Sequence, residues 1–203
     1  SAALAFMERR PRRVLTRLKV RGFKSLSELK ALELSQVNVF IGANGSGKSN
    51  LLEAIGLLGA AASGRIDDQS LLRRGGRPGV PALYKTSLKG TRLLPAIYLE
   101  AEWSANDVRY SVGINNPLSE PKPAWGYKTE TVEVGAKTLL SRGETGGHLA
   151  GEKWEKAHAM APKREAGLAA LARATEQFAG EPANFLDALS DFAIFAPVTP
   201  VLR

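Results

Sequence analysis

The sequence predicts an α/β fold in which a strand, a glycine-rich loop and a helix stand beside an antiparallel β-lobe. Three observations carry this. VNVFIG (residues 37–42) is a short apolar run ending on glycine; the segment after it is glycine-rich; and in NLLEAIGLLGAAAS, Leu51, Ile55 and Leu58 recur at helical spacing with Leu52 beside them. Further along, two pairs of alternating segments, each joined by a short turn, read as hairpins. At 203 residues with 44% hydrophobic content, the chain can bury a core.

Taken in order, SAALAF before Met7 and the charged MERRPRR fit a tag remnant or a disordered basic arm over residues 1–13, with one domain portion filling 14–203. VLTRLKVR (14–21) alternates as a half-buried strand, with Thr16, Leu18 and Val20 on one face and Arg17, Lys19 and Arg21 on the other. GFKSL reads as a turn, and a second strand is expected at 31–34. The run at 37–42 is expected to be a buried strand. Residues 64–81, rich in Gly, Pro and Arg, predict a loop with a short helical turn at most.

The β-lobe is expected over about 82–142. AIYLEAEW places Ile97, Leu99, Ala101 and Trp103 on one side, DVRYSVGI places Val108, Tyr110, Val112 and Ile114 on one side, and SAN turns between them. After a Pro-rich loop, YKTETVEV and KTLLSR flank Gly135 and Ala136 as a second hairpin. A helical segment is expected over about 160–190. In it Leu168, Leu171 and Phe178 hold helical spacing, Pro162 suits the first turn, Gly180 the stop, and PANFLDALS follows as a shorter helix. The end, FAIFAPVTPVLR, is apolar and broken by Pro197 and Pro200, which reads as a truncated domain.

The balance of 28 Lys+Arg against 20 Asp+Glu gives a net charge of +8 and points to polyanionic partners, nucleic acid first. With no cysteine there are no disulfides or thiolate metal sites, and the two histidines, His148 and His158, make a poor basis for zinc. No apolar run reaches membrane-span length and the Arg-rich start lacks a signal peptide's apolar core, so a cytoplasmic protein is expected.

Gly42, Ala43, Asn44, Gly45, Ser46, Gly47, Lys48 and Ser49 match G-x-x-x-x-G-K-[ST] in full. Glycines let successive backbone N–H groups turn inward toward phosphate oxygens, and the following helix adds its positive end. Lys48 then reaches the β- and γ-phosphates and the Ser49 hydroxyl takes Mg²⁺. ATP and Mg²⁺ are the expected cofactors.

LKVRGFKSL (18–26) followed by VNVFIGANGSGKSNLLEAI, with Asn50 directly after the Ser, resembles the N-terminus of the RecF/SMC/Rad50 branch of ABC-type ATPases. The resemblance covers residues 14–59. Within that branch the chain looks closest to the OLD-like ATPases of bacterial anti-phage systems such as Septu, because SMC heads commonly carry an arginine where this chain has Gly56. The resemblance implies the N-terminal half of a P-loop NTPase of the ABC-type head class, with its antiparallel lobe packed beside a mainly parallel sheet whose other strands come late. It implies Lys24 near the nucleotide phosphates, with Arg21 close by. It also implies a homodimer through the ATP sites, DNA as a partner, and a nuclease partner or nuclease domain.

An ABC-type site further needs a Walker B strand ending in Asp-Glu and an LSGG-like signature. Neither stands in this sequence. AIYLE ending at Glu100 lacks the adjacent Asp, and TGGH at 145–148 lacks the Leu-Ser; Gln69 and Gln177 are Q-loop candidates without context. The chain is therefore expected to bind ATP without turning it over alone. One alternative is a nucleotide-independent DNA-binding module using Arg17, Lys19, Arg21, Arg73, Arg74 and Arg77. A P-loop kinase or small GTPase is the other, but the guanine-reading Asn-Lys-x-Asp is missing and the β-rich insertion fits neither.

Overall fold

A computed structural model describes residues 15–143, 147–149, 165–174, 176 and 179–194. Its strands are β1 (Arg17–Phe23), β2 (Leu26–Glu33), β3 (Ala96–Trp103), β4 (Val108–Asn115), β5 (Tyr127–Val134), β6 (Lys137–Arg142) and β7 (Gly147–Leu149). They form one sheet in the order β2-β1-β3-β4-β5-β6-β7. Every neighbouring pair is antiparallel. The helices are α1 (Lys48–Ala62), α2 (Asp68–Arg73), α3 (Pro81–Tyr84), α4 (Leu168–Ala174) and α5 (Glu181–Ser190).

Side-chain alternation decides which face of the sheet is covered. Leu18 and Val20 of β1 lie opposite Ala101 and Leu99 of β3, and these continue into Tyr110 and Val112 of β4, all buried. That face carries α1, α4 and α5. The other face is solvated and carries the polar half of each strand, which is the arrangement expected of an antiparallel sheet.

Helix α1 is buried at every position from Glu53 to Ala62, because strands lie on one side of it and α5 on the other. The crossing with α5 is a backbone contact. A Cβ at Gly59 would stand 2.3 Å from the Leu189 carbonyl oxygen, so only glycine fits there. Gly56, one turn earlier, faces Arg74 and Ile194 at 3.8 Å from where its Cβ would be. Arg74 is itself buried, with Nη1 donating to Ser70 O at 2.9 Å and Nη2 to Ser190 O at 2.6 Å, and so ties α2 to the end of α5.

A second tie joins α4 to the sheet. The fully buried Glu130 of β5 accepts the backbone N–H of Leu168 at 2.6 Å and of Ala169 at 3.1 Å, and the Tyr110 hydroxyl at 3.1 Å. Arg142 of β6 lies 4.0 Å away and donates to Ala166 O at 2.7 Å. Burial pushes the Glu130 carboxyl above its ordinary range, against the opposing pull of Arg142 and the two N–H donors.

Both hairpins of the lobe form as expected, with a 3₁₀ turn at Ser104–Asn106 and Gly135 at the second turn. Several expectations need correction. The turn in GFKSL shrinks to Lys24 and Ser25, so β1 runs to Phe23 and β2 starts at Leu26 rather than at 31. Residues 64–81 contain α2 and end on Pro81, the first residue of α3. A capping box holds the start of α2, with Ser70 N on the Asp67 carboxylate at 2.7 Å and Asp67 N on Ser70 Oγ at 3.0 Å, and Pro81 opens α3. β7 pairs with β6 and extends the sheet past the second hairpin.

The largest correction concerns residues 37–42. They are not a strand, and Val37, Val39 and Ile41 are 79%, 78% and 91% exposed. An apolar segment becomes a buried parallel strand only when strands flank it, and no described strand does so. Among the described residues the expected parallel sheet has no pair, while β1 and β2 belong to the antiparallel one. The expected helical features at Pro162 and Phe178, the Q-loop candidate Gln177, and residues 145–146 of TGGH lie outside the described residues.

Candidate nucleotide site

The glycine-rich loop runs from Gly42 into the first turn of α1. Gly45 and Gly47 both take positive φ, 81° and 96°. At Gly47 sterics add to the backbone requirement, since a Cβ would lie 2.9 Å from Ser25 Oγ. Left-handed turns in such a loop swing peptide N–H groups to one side and make an anion-binding concavity. α1 carries no acidic residue in its first turn, so its positive end is not neutralised locally.

Lys48 is folded onto the loop. Its ammonium donates to Gly42 O at 2.6 Å and Ala43 O at 2.8 Å, with Ser46 Oγ at 3.3 Å. These oxygens satisfy the cation where phosphate oxygens would otherwise do so. Asn44, Gly45 and Ser49 are exposed, and open space surrounds the Gly45 Cβ position. The loop therefore fits a polyphosphate: open space at Gly45, a cation at the helix start, and the Ser49 hydroxyl within the first helical turn for Mg²⁺.

Asn50 serves the loop from within α1, its Nδ2 donating to Ser25 Oγ at 2.7 Å. This bond fixes the β1–β2 turn against the loop. Lys24 belongs to the same turn and has φ 44°, with its N–H on Tyr84 O at 2.8 Å. Its ammonium makes an ion pair with Glu53 of α1 and lies 4.2 Å from the centre of the Tyr84 ring. Arg21 points elsewhere, with its guanidinium 6.0 Å from the centre of the Tyr98 ring. Gln69 sits on α2 in a shallow surface cleft with Asp67, Asp68 and Trp125.

Glu53 and Tyr84 were not read from the sequence as site residues, and Arg77 only as part of the DNA-binding alternative. One signal was available: Glu53 is the lone charge in the apolar run LLEAIGLLGAAA, and a buried charge requires a partner. It has two, Lys24 and Arg77, the latter with Nε at 3.3 Å. The Tyr84 hydroxyl donates to Arg77 O, and burial pushes its pKa up to about 12.

The solvated face of the sheet differs from the basic strand face of the DNA-module alternative. Arg17 pairs with Glu33 at 2.6 Å and Glu102 at 3.3 Å, and Lys19 with Glu100 at 2.6 Å. Arg109 bridges Glu100, Glu102 and Glu133. The face is a ladder of alternating charge. Glu100, the imitation of Walker B, is a rung of it. Arg74 is buried as a tie and Arg77 is engaged by Glu53, so with Arg17 and Lys19 four of the six basic residues of that reading already hold acidic or carbonyl partners.

Among the described residues no helix is long and apolar enough to cross a membrane, and no cluster of three metal-ligating side chains occurs. Residues 37–134 match a family model described as "AAA domain, putative AbiEii toxin, Type IV TA system". The chain is similar to proteins named DNA replication and repair protein RecF. That of Magnetococcus marinus is 35% identical over 127 residues, covering 62% of this chain and 31% of the relative. That of Halothermothrix orenii is 38% identical over 71 residues, covering 34% and 19%, and that of Leifsonia xyli 27% identical over 133 residues, covering 65% and 33%. The matched part thus spans a third or less of each of these relatives. The antiparallel lobe beside the glycine-rich loop, together with these matches, agrees with an α/β P-loop ATPase head in part.

Proposed function

We propose that the chain is the ATP-binding portion of an ABC-type ATPase that acts on DNA. The observation that carries this is the loop itself: two left-handed glycines, a helix start free of acidic residues, and Lys48 held only by loop oxygens it can exchange for phosphate. Gly42, Asn44, Gly45, Ser46 and Gly47 supply the cradle, Lys48 the charge, and Asn50 the brace to the β1–β2 turn that carries Lys24. Ser49 would hold Mg²⁺, which supplies charge neutralisation between the phosphates. The RecF name of the relatives favours DNA over other polyanions. The finer reading is an OLD-like, Septu-type defence or DNA-repair ATPase, homodimeric through its ATP sites and working with a nuclease.

Binding without turnover is expected of these residues, since no Walker B pair or signature stands among them to place a water or meet the γ-phosphate. Lys48→Ala abolishes binding of a fluorescent ATP analogue while the far-UV circular dichroism is unchanged, because the lysine contributes charge at a solvent-exposed loop. Equal affinity in wild type and mutant would end the P-loop reading.

A further inference from the structure

Glu53 is an unusual carboxylate for its place. It lies one helical turn beyond Ser49 on α1, its side chain is 8% exposed, and its two oxygens take two different cations. Oε2 pairs with Lys24, whose side chain is 16% exposed and packed against the rings of Tyr84 and Phe23. Oε1 pairs with Arg77, which is 79% exposed and sits in the GGRPG segment. We propose that Glu53 is a shared counterion that positions Lys24 beside the nucleotide loop, and that Arg77 sets how readily Lys24 is released to a bound triphosphate.

A lone buried charge is costly. Removing one of two opposite charges around a buried carboxylate is tolerable, whereas removing both leaves it unpaired and poorly solvated. Lys24 lies next to Ser25, which touches both Gly47 and Asn50, so it is one residue from the wall of the loop. A polyphosphate in the loop attracts the Lys24 ammonium away from Glu53. With Arg77 in place the carboxylate keeps a partner when this happens. Without Arg77 the carboxylate holds Lys24 alone, and the nucleotide must compete against it. The Arg77 backbone is fixed for this role by the hydroxyl of Tyr84, the same ring that supports Lys24.

This inference rests on the P-loop reading above, and a thermodynamic cycle separates the two. The probe is a fluorescent ATP analogue with Mg²⁺, titrated into wild type, Arg77→Gln, Glu53→Gln, Lys24→Met and the double variants, with thermal unfolding recorded for each. Arg77→Gln is expected to weaken binding by about tenfold in the wild-type background, and by less than about twofold when combined with Glu53→Gln or with Lys24→Met. Arg77→Lys, which keeps the charge, restores wild-type affinity. A loss of the same size in the Glu53→Gln background, or no loss in the wild-type background, overturns the proposal while leaving the P-loop reading intact. Wild-type binding that Lys48→Ala does not diminish, or no binding at all, overturns both.

Discussion

β3 and the segment before the P-loop carry much the same kind of sequence, AIYLEAEW in one and VNVFIG in the other, and they end in opposite states. β3 lies between β1 and β4, with Ile97 and Ala101 fully buried. Residues 37–42 pair with no described strand, and their valines and isoleucine face solvent. An apolar alternating run states a capacity for pairing. Whether the capacity is used depends on residues far away in the chain. β3 finds its neighbours through a three-residue turn and through β1, whereas a parallel strand needs crossover partners.

The contrast is sharpest in stability. Glu130→Ala should have the largest effect, about 3–5 kcal/mol, because it strands Arg142 and removes the acceptor for Leu168 and Ala169 N–H. Chemical denaturation of wild type and mutant measures it. Glu130 also sets a pH dependence of defined sign. Its pKa is raised by burial, so between the ordinary carboxylate range and the raised value the folded state binds more proton than the unfolded. The stability it contributes is therefore present at low pH and lost as pH rises through the folded pKa. Glu130→Gln should flatten that slope in denaturation curves taken across the range, with Arg142, Tyr110 and Tyr127 the charged and titratable groups that face it. A slope of opposite sign would mean that the N–H donors and Arg142 outweigh burial.

Next in size is a matched pair of truncations. Ile97→Ala empties a fully buried site and should cost about 2–5 kcal/mol, while Ile41→Ala, at 91% exposure, should lie within about 0.5 kcal/mol of wild type. Equal costs in equilibrium denaturation would abolish the distinction between the two regions. The smallest effect belongs to the charged ladder. Lys19→Ala removes a solvent-exposed pair with Glu100 and should cost about 0–1 kcal/mol, diminishing as salt is added. A large cost that ignores salt would show that the solvated face is tighter than its exposure indicates.

The lobe and the P-loop were legible in the sequence for the same reason: both are specified locally. Alternation over eight residues, the turn SAN and Gly135 place the hairpins, and the spacing from Gly42 to Ser49 places the loop. α2 outgrew the short turn expected because its start is a side-chain event, the reciprocal bonds of Asp67 and Ser70, within a stretch dominated by Gly, Pro and Arg. The partners of Lys24 were missed because Glu53 and Arg77 come together only when α1 packs behind the β1–β2 turn. Arg17 and Lys19 read as a basic face until β3 placed Glu102 and Glu100 opposite them. Gly56 looked like a departure from a family pattern. It and Gly59 are where Arg74 and the end of α5 approach the helix.

The segment leading into the glycine-rich loop has strand character but no strand neighbour among the described residues, and amide hydrogen exchange at single-residue resolution tests this most directly. The amides of Leu99 in β3 and Tyr110 in β4, paired on both sides, should exchange only through global unfolding, and those of Val39 and Ile41 at nearly the rate of an unstructured chain. Protection of Val39 and Ile41 equal to that of Leu99 would contradict the account, because it would require the segment before Gly42 to be hydrogen-bonded already.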